Sequence, residues 1–368
     1  MSKSLVILFV AAMLLAGCAS TPNVPEEVIS SPPVMAGGEA SSLNWTDTNA
    51  AKQFPAPRAF RPLTPAARAY PSYTAPVTTW TSLDRWAAEN KVGQPRLVSH
   101  TPVAAYAIGT ANGTMVLDIG SREATWNGVE VQLGFGPQFI DDQIFVHGLD
   151  LQKNLEPLLF GPPLTFGNRV VVIDPGHGGS NVGTHSVLDG RFEKEFTLDW
   201  ALQLAPLLAA NGWQVFLTRT NDVDVALTNR VAFAEARHAD LFISLHFNST
   251  SDRSRETAGL ETYCSTPAGM PSSLTRDYAD TWSQYFPNNN FDAQNLQLAV
   301  LLQAALLRES NEDDRGVRRV RFIGVLHGQR RPAVLIEGGY LSNPHEAKLI
   351  ESPEFRQKLA QAVADALK

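Results

Sequence analysis

Positive charge is what this 368-residue chain is short of. Thirty lysines and arginines stand against 37 aspartates and glutamates, for a formal charge of -7 and a pI near 5.6. No basic stripe offsets the deficit, which excludes the electrostatic footprint of a nucleic-acid binder. Cysteine is scarce as well. Cys18 and Cys264 are the only two, too few for a disulfide framework. Long apolar runs are also missing: the run from Leu5 to Leu15 is too short to cross a bilayer. What is present is a globular composition, 44% hydrophobic and 18% charged. The length predicts two folded units with accessory segments.

The short apolar run follows a single positive charge, Lys3, which is the shape of a secretory signal over residues 1–17. It ends in Leu15-Ala16-Gly17-Cys18. This ending resembles the lipobox of bacterial lipoproteins, in which the cysteine is lipidated and becomes the mature N-terminus. The resemblance implies lipidation at Cys18, with several acyl chains holding a membrane firmly where one would hold it marginally. Ala19 and Ser20 follow, with no aspartate to resemble an inner-membrane retention signal. The expected location is therefore the periplasmic face of the outer membrane. With Cys18 lipidated, Cys264 has no partner, and no internal disulfide is expected.

Residues 18–76 hold ten of the 24 prolines and no persistent apolar period, which predicts a disordered tether. A coil of that length spans roughly 40–45 Å. Residues 77–160 read as a small α+β accessory module. Ser82 can cap a helix. Short strands follow at Ala104–Ile108, Thr114–Ile119, Val129–Leu133 and Gln143–His147. Asn112-Gly113 and Asn127-Gly128 signal hairpin turns, and Leu149–Leu159 reads as a helix. About forty of these residues faintly resemble the stalk modules related to the copper amine oxidase N-terminal domain. Trp86, Trp126 and Phe135 are expected in the core.

Beyond a Pro- and Gly-rich punctuation, residues 168–368 alternate strand and helix. Strands are expected at Val170–Ile173, Gln214–Thr218, Leu241–Leu245, Leu260–Cys264 and Ala333–Ile336. Helices are expected at Glu193–Ala210, Leu227–Arg237, Leu296–Arg308 and Pro353–Leu367, with a kink or early stop at Pro206. Alternation of this kind predicts an α/β domain with a mostly parallel sheet.

In such sheets, ligands sit outside the carboxyl ends of the strands. His177 follows the strand Val170–Ile173, His246 follows Leu241–Leu245, and Glu337 follows Ala333–Ile336. Glu193 opens a helix at the same rim. Two histidines and one carboxylate with an open fourth position form the ligand set of a catalytic zinc. A further carboxylate left free of the metal can move protons. A glycine-rich turn with an incidental histidine would be the plain alternative for His177 taken alone.

The ordered stretches DPGHGG, GRFEKEFTLD, GWQVFLTRTNDVDVALTNRVAFAEARHADLFISLHFN, RGVRR and PAVLIEGGYLSNP run from Arg169 to the C-terminus. Together they resemble the zinc-dependent N-acetylmuramoyl-L-alanine amidases, the cell-wall family called amidase type 3. The resemblance implies a twisted, mostly parallel sheet of about six strands flanked by helices. It implies one zinc per chain on His177, Glu193 and His246, with Glu337 as the catalytic carboxylate. The substrate implied is peptidoglycan, cut between the lactyl group of N-acetylmuramic acid and L-alanine, for wall remodelling or daughter-cell separation. A catalytically inactive peptidoglycan-binding relative is the alternative.

Asn248 and Arg230 match family positions and are expected to fix loops. His185 lies between two of the ligands, as a solvated loop residue, a group behind them or a substrate contact. Three departures from the family pattern stand out. Ser180–Thr184 replaces the usual Asp-Pro-Gly-Ala loop. The altered gap before Glu193 leaves Glu195 as a rival carboxylate. The stretch Ser265–Asp292 carries clustered aromatics. In some relatives an insertion there blocks the metal until a partner removes it, so a protein activator is among the partners allowed. Here the stretch is short and reads equally as a groove loop.

Overall fold

The computed structural model describes residues 79–251, 255–274 and 280–368. The signal segment, Cys18 and all of the expected tether lie outside them. Among the described residues no helix is long and apolar enough to cross a membrane.

The chain opens with β1 (Trp80–Ser82) and α1 (Leu83–Glu89). Ser82 caps α1 by accepting from the Arg85 N–H at 3.4 Å. A meander follows: β2 (Arg96–Ser99), β3 (Ala105–Thr110), β4 (Gly113–Asp118), β5 (Glu123–Trp126) and β6 (Val129–Gln132). Asn127 and Gly128 both take positive φ, 50° and 87°, so they form the two-residue turn that suits strand twist. Then come β7 (Gln138–Ile140) and β8 (Gln143–His147), which join β1 in a small antiparallel sheet. The expected helix after β8 is irregular. It runs as α2 (Gly148–Asp150), a π turn over Leu151–Leu155, and α3 (Glu156–Leu159).

The second half supplies β9 (Val170–Pro175), α4 (Glu193–Ala210), β10 (Gln214–Leu217), α5 (Leu227–Ala236), β11 (Leu241–Asn248) and β12 (Leu260–Ser265). After these come α6 (Asp292–Ser310), β13 (Asp314–Val320), α7 (Gly324–His327), β14 (Ala333–Tyr340), α8 (Pro344–Glu351) and α9 (Pro353–Ala366). Six strands lie in the order β10-β9-β11-β14-β12-β13. All neighbours are parallel except β12 with β14. These six strands therefore form an α/β fold with a mixed, mostly parallel sheet flanked by helices.

Alternation along the central strands sorts the core. Val171, Ile173, Ile243, Leu245, Val334 and Ile336 face one side with Trp200 of α4, Leu302 of α6 and Leu359 of α9. Val170, Val172, Phe242, Ala333 and Leu335 face the other with Ala234 of α5 and Leu326 of α7. Burial on both faces explains why these strands read as continuous apolar runs.

Pro206 does not stop α4. The helix continues to Ala210, and the carbonyl that proline leaves unbonded belongs to Leu202, which is 47% exposed and open to water. The helix closes with Trp213 N–H on the Leu208 carbonyl and Gly212 N–H on the Ala209 carbonyl, a Schellman pattern.

β13 was not legible as a strand. It carries four charged residues, Asp314, Arg315, Arg318 and Arg319, and forms because both edges find partners. On its far side β6 pairs with it in parallel, Val131 opposite Val317. The sheet thus runs on through β6-β5-β4-β3-β2 to eleven strands. Arg319, 2% exposed, reaches from β13 to the Lys153 carbonyl at 2.9 Å and Asn154 Oδ1 at 3.0 Å. Lys153 pairs with the buried Asp292 at 3.1 Å. Residues 79–160 and 168–368 therefore share a sheet and buried ionic contacts. Trp86 and Trp126 are buried, each 6% exposed, and Phe135 is half-buried against His147.

Candidate metal centre

β9 delivers Asp174-Pro175 to the rim of the sheet, and the chain reverses there. His177 takes φ 61°, followed by Gly178 and Gly179, also at positive φ. A non-glycine residue in this region is disfavoured and needs support. Two buried arginines give it. Arg230 donates to the His177 carbonyl at 2.7 Å and the Pro175 carbonyl at 2.9 Å. Arg219 donates to the Pro175 carbonyl at 3.0 Å and the Gly176 carbonyl at 2.8 Å. Arg230 is itself fixed by Asp174 at 2.6 Å, and Asp174 also accepts from Thr218 and Ser244. Arg230 thus holds the loop that carries His177.

Glu193 is the first residue of α4 and is 4% exposed. Its Oε2 lies 3.0 Å from His177 Nε2, and its Oε1 lies 2.9 Å from His246 Nδ1. Each oxygen also accepts a backbone N–H, from Thr184 at 3.0 Å and Phe247 at 3.1 Å. The carboxylate is therefore locked between two imidazoles. Burial alone would push its pKa up. The hydrogen bonds and charges of His177 and His246 outweigh burial and hold it well below the usual carboxylate range. For His177 burial works downward, and contact with Glu193 carries it above the ordinary value.

The backbone crowds this group closely. A Cβ on Gly176 would lie 2.3 Å from the His246 ring, and one on Gly183 would lie 2.5 Å from Glu193 Oε2. Gly183 belongs to the loop that departs from the family pattern. Its neighbour Asn181 offers Oδ1 to His177 Nδ1 at 2.8 Å. An acceptor there favours a proton on Nδ1, so that Nε2, which faces Glu193, is the nitrogen a metal would take.

One donor atom from each of His177, Glu193 and His246 can be chosen so that all lie within 4.8 Å of one another. Tetrahedral ligands about 2 Å from a metal sit about 3.3 Å apart. The two carboxylate–imidazole separations, 3.0 and 2.9 Å, are close to that. The donor set and its convergence fit a divalent cation.

Glu337 lies on β14, opposite His246 of β11 and opposite Glu261 of β12. It is half-buried and lines the same cleft, of about 820 Å³, as His177, Glu193 and His246. The structure thus brings all four sequence-derived site residues to one cleft. Glu195 is exposed and accepts the Phe192 N–H at 3.1 Å as part of the helix start, apart from the histidines. His185 is exposed and bridges to Phe192. Cys18 lies outside the described residues.

Sequence reasoning missed Glu261. It is 2% exposed, and its carboxylate gathers Asn248 at 2.9 Å, the Tyr263 hydroxyl at 2.7 Å, the Tyr340 hydroxyl at 3.0 Å and Arg315 at 3.1 Å. Burial first, and the charge of Glu261 next, push both tyrosine pKa values up, so the hydroxyls stay protonated as donors. The available signal was an acid in an otherwise buried strand.

A family model described as N-acetylmuramoyl-L-alanine amidase matches residues 171–368. Among curated relatives, the chain is 33% identical over 223 residues to the N-acetylmuramoyl-L-alanine amidase AmiC of Neisseria meningitidis, covering 54% of this chain and 51% of that protein. It is 28% identical over 243 residues to AmiC of Escherichia coli, covering 60% and 58%. The chain therefore spans about half the length of the curated relatives it matches. Among solved structures, the catalytic domain of CwlV from Bacillus (Paenibacillus) polymyxa is 30% identical with a TM-score of 0.45, covering 54% of this chain and 96% of that one. AmiC2 of Nostoc punctiforme is 30% identical with a TM-score of 0.45, covering 55% and 97%.

Proposed function

The chain belongs to the N-acetylmuramoyl-L-alanine amidase family, and from that premise we propose that it hydrolyses the amide between N-acetylmuramic acid and L-alanine in peptidoglycan. The observation that carries the reading is the convergence of His177, Glu193 and His246 on a cleft that Glu337 also lines.

In this reading His177, Glu193 and His246 hold one zinc ion. When bound, zinc supplies Lewis acidity toward the amide carbonyl and toward water. The chain's own groups do the rest. Arg230 and Arg219 keep His177 at the rim, and Asn181 keeps its proton on Nδ1. Glu193, held ionised by its neighbours, keeps the two imidazoles in register. Glu337 takes a proton from the attacking water on its carboxylate oxygen. As the carbon–oxygen bond forms and the carbon–nitrogen bond breaks, it returns that proton to the leaving amine. Glu261 fixes Asn248 and two tyrosines at the cleft wall.

We place the protein at the periplasmic face of the outer membrane, anchored through lipid on Cys18 and lifted from it by residues 19–76. Wall remodelling or daughter-cell separation is the role proposed for it. A protein activator is a further partner in this reading.

The test is incubation of the Cys18→Ser chain with peptidoglycan, with and without chelator, followed by mass analysis of the released ends. Free L-alanine amino termini and intact muramic acid lactyl carboxylates, lost with chelator, are expected. Cleavage elsewhere in the stem peptide would make it a peptidase instead. The protein tested must keep residues 79–160, because β6 continues the sheet.

A further inference from the structure

β6 brings more than a strand to the sheet edge. Glu130 of β6 is tied to β13 by its backbone, its N–H donating to Asp314 Oδ2 at 2.7 Å. Its side chain then reaches across the edge, and Oε1 lies 3.3 Å from Arg318 Nη2. Gln132 donates to the same Oε1 at 3.2 Å and steadies it. On the other flank Arg318 Nε stands 3.7 Å from Glu261 Oε1, beyond hydrogen-bond distance. Arg318 is therefore clamped between two carboxylates, one from each half of the chain.

This arginine lines the same cleft as Glu337 and His246. Its side chain is only 15% exposed, yet among the described residues it makes two ionic contacts and no side-chain hydrogen bond. Arg319 beside it shows the contrast, with its guanidinium spent on Lys153, Asn154 and Ser265. A guanidinium has five donors in a planar fork suited to a carboxylate. At the cleft wall Arg318 leaves its buried Nε without a hydrogen-bond partner and engages Glu130 only through Nη2, so part of the fork is uncommitted and the side chain is held by charge alone.

We propose that Arg318 binds a free carboxylate of the stem peptide, and that Glu130 of the N-terminal module is the residue that positions it. The inference rests on the peptidoglycan reading above and deepens it: the substrate class is an acidic muramoyl peptide. Residues 79–160 then act from behind the cleft wall, and through Glu130 they set the affinity of the wall residue Arg318 for substrate.

The test compares two soluble muramoyl peptides, one with free carboxylates and one with the same groups amidated, on the full Cys18→Ser chain. Equilibrium binding and cleavage are both measured. Wild type should bind the acidic peptide about tenfold or more tightly than its amide, the size of one hydrogen bond to a charged group. Arg318→Met should abolish that preference, and Arg318→Lys should restore part of it. Glu130→Gln, nearly isosteric, should weaken it as well. The loss should fall on KM rather than kcat, with bound metal unchanged. Cleavage with no preference for the free carboxylate, or an equal preference in Arg318→Met, overturns this inference alone. Preference without cleavage overturns the amidase reading and leaves the subsite supported. Neither binding nor cleavage overturns both.

Discussion

Arg230 donates through Nη2 to the carbonyl of His177 at 2.7 Å. A buried cation on α5 thereby holds a histidine of the candidate metal centre in a left-handed backbone conformation. The same guanidinium pairs with Asp174, 1% exposed, at 2.6 Å. Arg230→Met should therefore do two things. It leaves Asp174 buried without its charge partner, which costs about 3–5 kcal/mol. It also frees the His177 loop, so bound zinc should drop. Urea unfolding and elemental analysis of one preparation check both effects.

Close backbone approach makes a second prediction. Gly176→Ala should displace the His246 ring, because the new methyl would lie 2.3 Å from it. Groups that orient metal ligands typically contribute about 10–100-fold to affinity, and a loss of that order is expected. Competition with a chelator of known affinity measures it. Unchanged affinity would mean that the His246 ring can shift without leaving the metal.

The shared sheet predicts that residues 161–368 will not fold well alone. Removing the N-terminal module takes the β6 partner from β13, and it takes Lys153 and Asn154 from the buried Arg319. An unpaired strand edge, a bared arginine and the loss of Lys153 from the buried Asp292 should lower stability by several kcal/mol, about the 3–5 expected for breaking a buried ion pair. A fragment with the wild-type unfolding midpoint would contradict this.

Asp150 gives a pH prediction. Burial pushes its carboxyl up to about 6, against the pull of hydrogen bonds from Gly134, Asn154 and Phe135. A raised pKa means the fold favours the neutral acid. This contribution is full below the ordinary aspartate range and is lost as pH rises through about 6. Asp150→Asn should be less stable throughout, since its amide NH₂ must face a donor. Its stability relative to wild type should nevertheless improve between pH 4.5 and 7. Urea midpoints at both pH values report the difference, and a constant gap would refute it.

Much of this was legible in the sequence, for physical reasons. The buried strands β9, β11 and β14 are long apolar runs, and their ends carry the histidines and Glu337. The centre was visible because strand ends in this fold are where ligands sit. β13 was hidden because its partners, not its composition, make it a strand. Glu261 was hidden because an acid inside a strand shows its importance only when Asn248, Tyr263, Tyr340 and Arg315 arrive from elsewhere. The link from Glu130 to Arg318 joins residues 188 apart, and no local pattern encodes it.

In the proposed mechanism Glu337 moves protons while His177, Glu193 and His246 hold the metal. Glu337→Gln tests it most directly, with zinc content, peptidoglycan pull-down and amide cleavage measured on one preparation. The amide keeps the shape of the side chain but cannot accept the proton. Zinc and wall binding should stay at wild-type levels while turnover falls by roughly 10²–10⁴-fold. Cleavage at the wild-type rate by the zinc-loaded variant would rule out Glu337 as the proton carrier, and loss of zinc together with activity would make Glu337 a ligand instead.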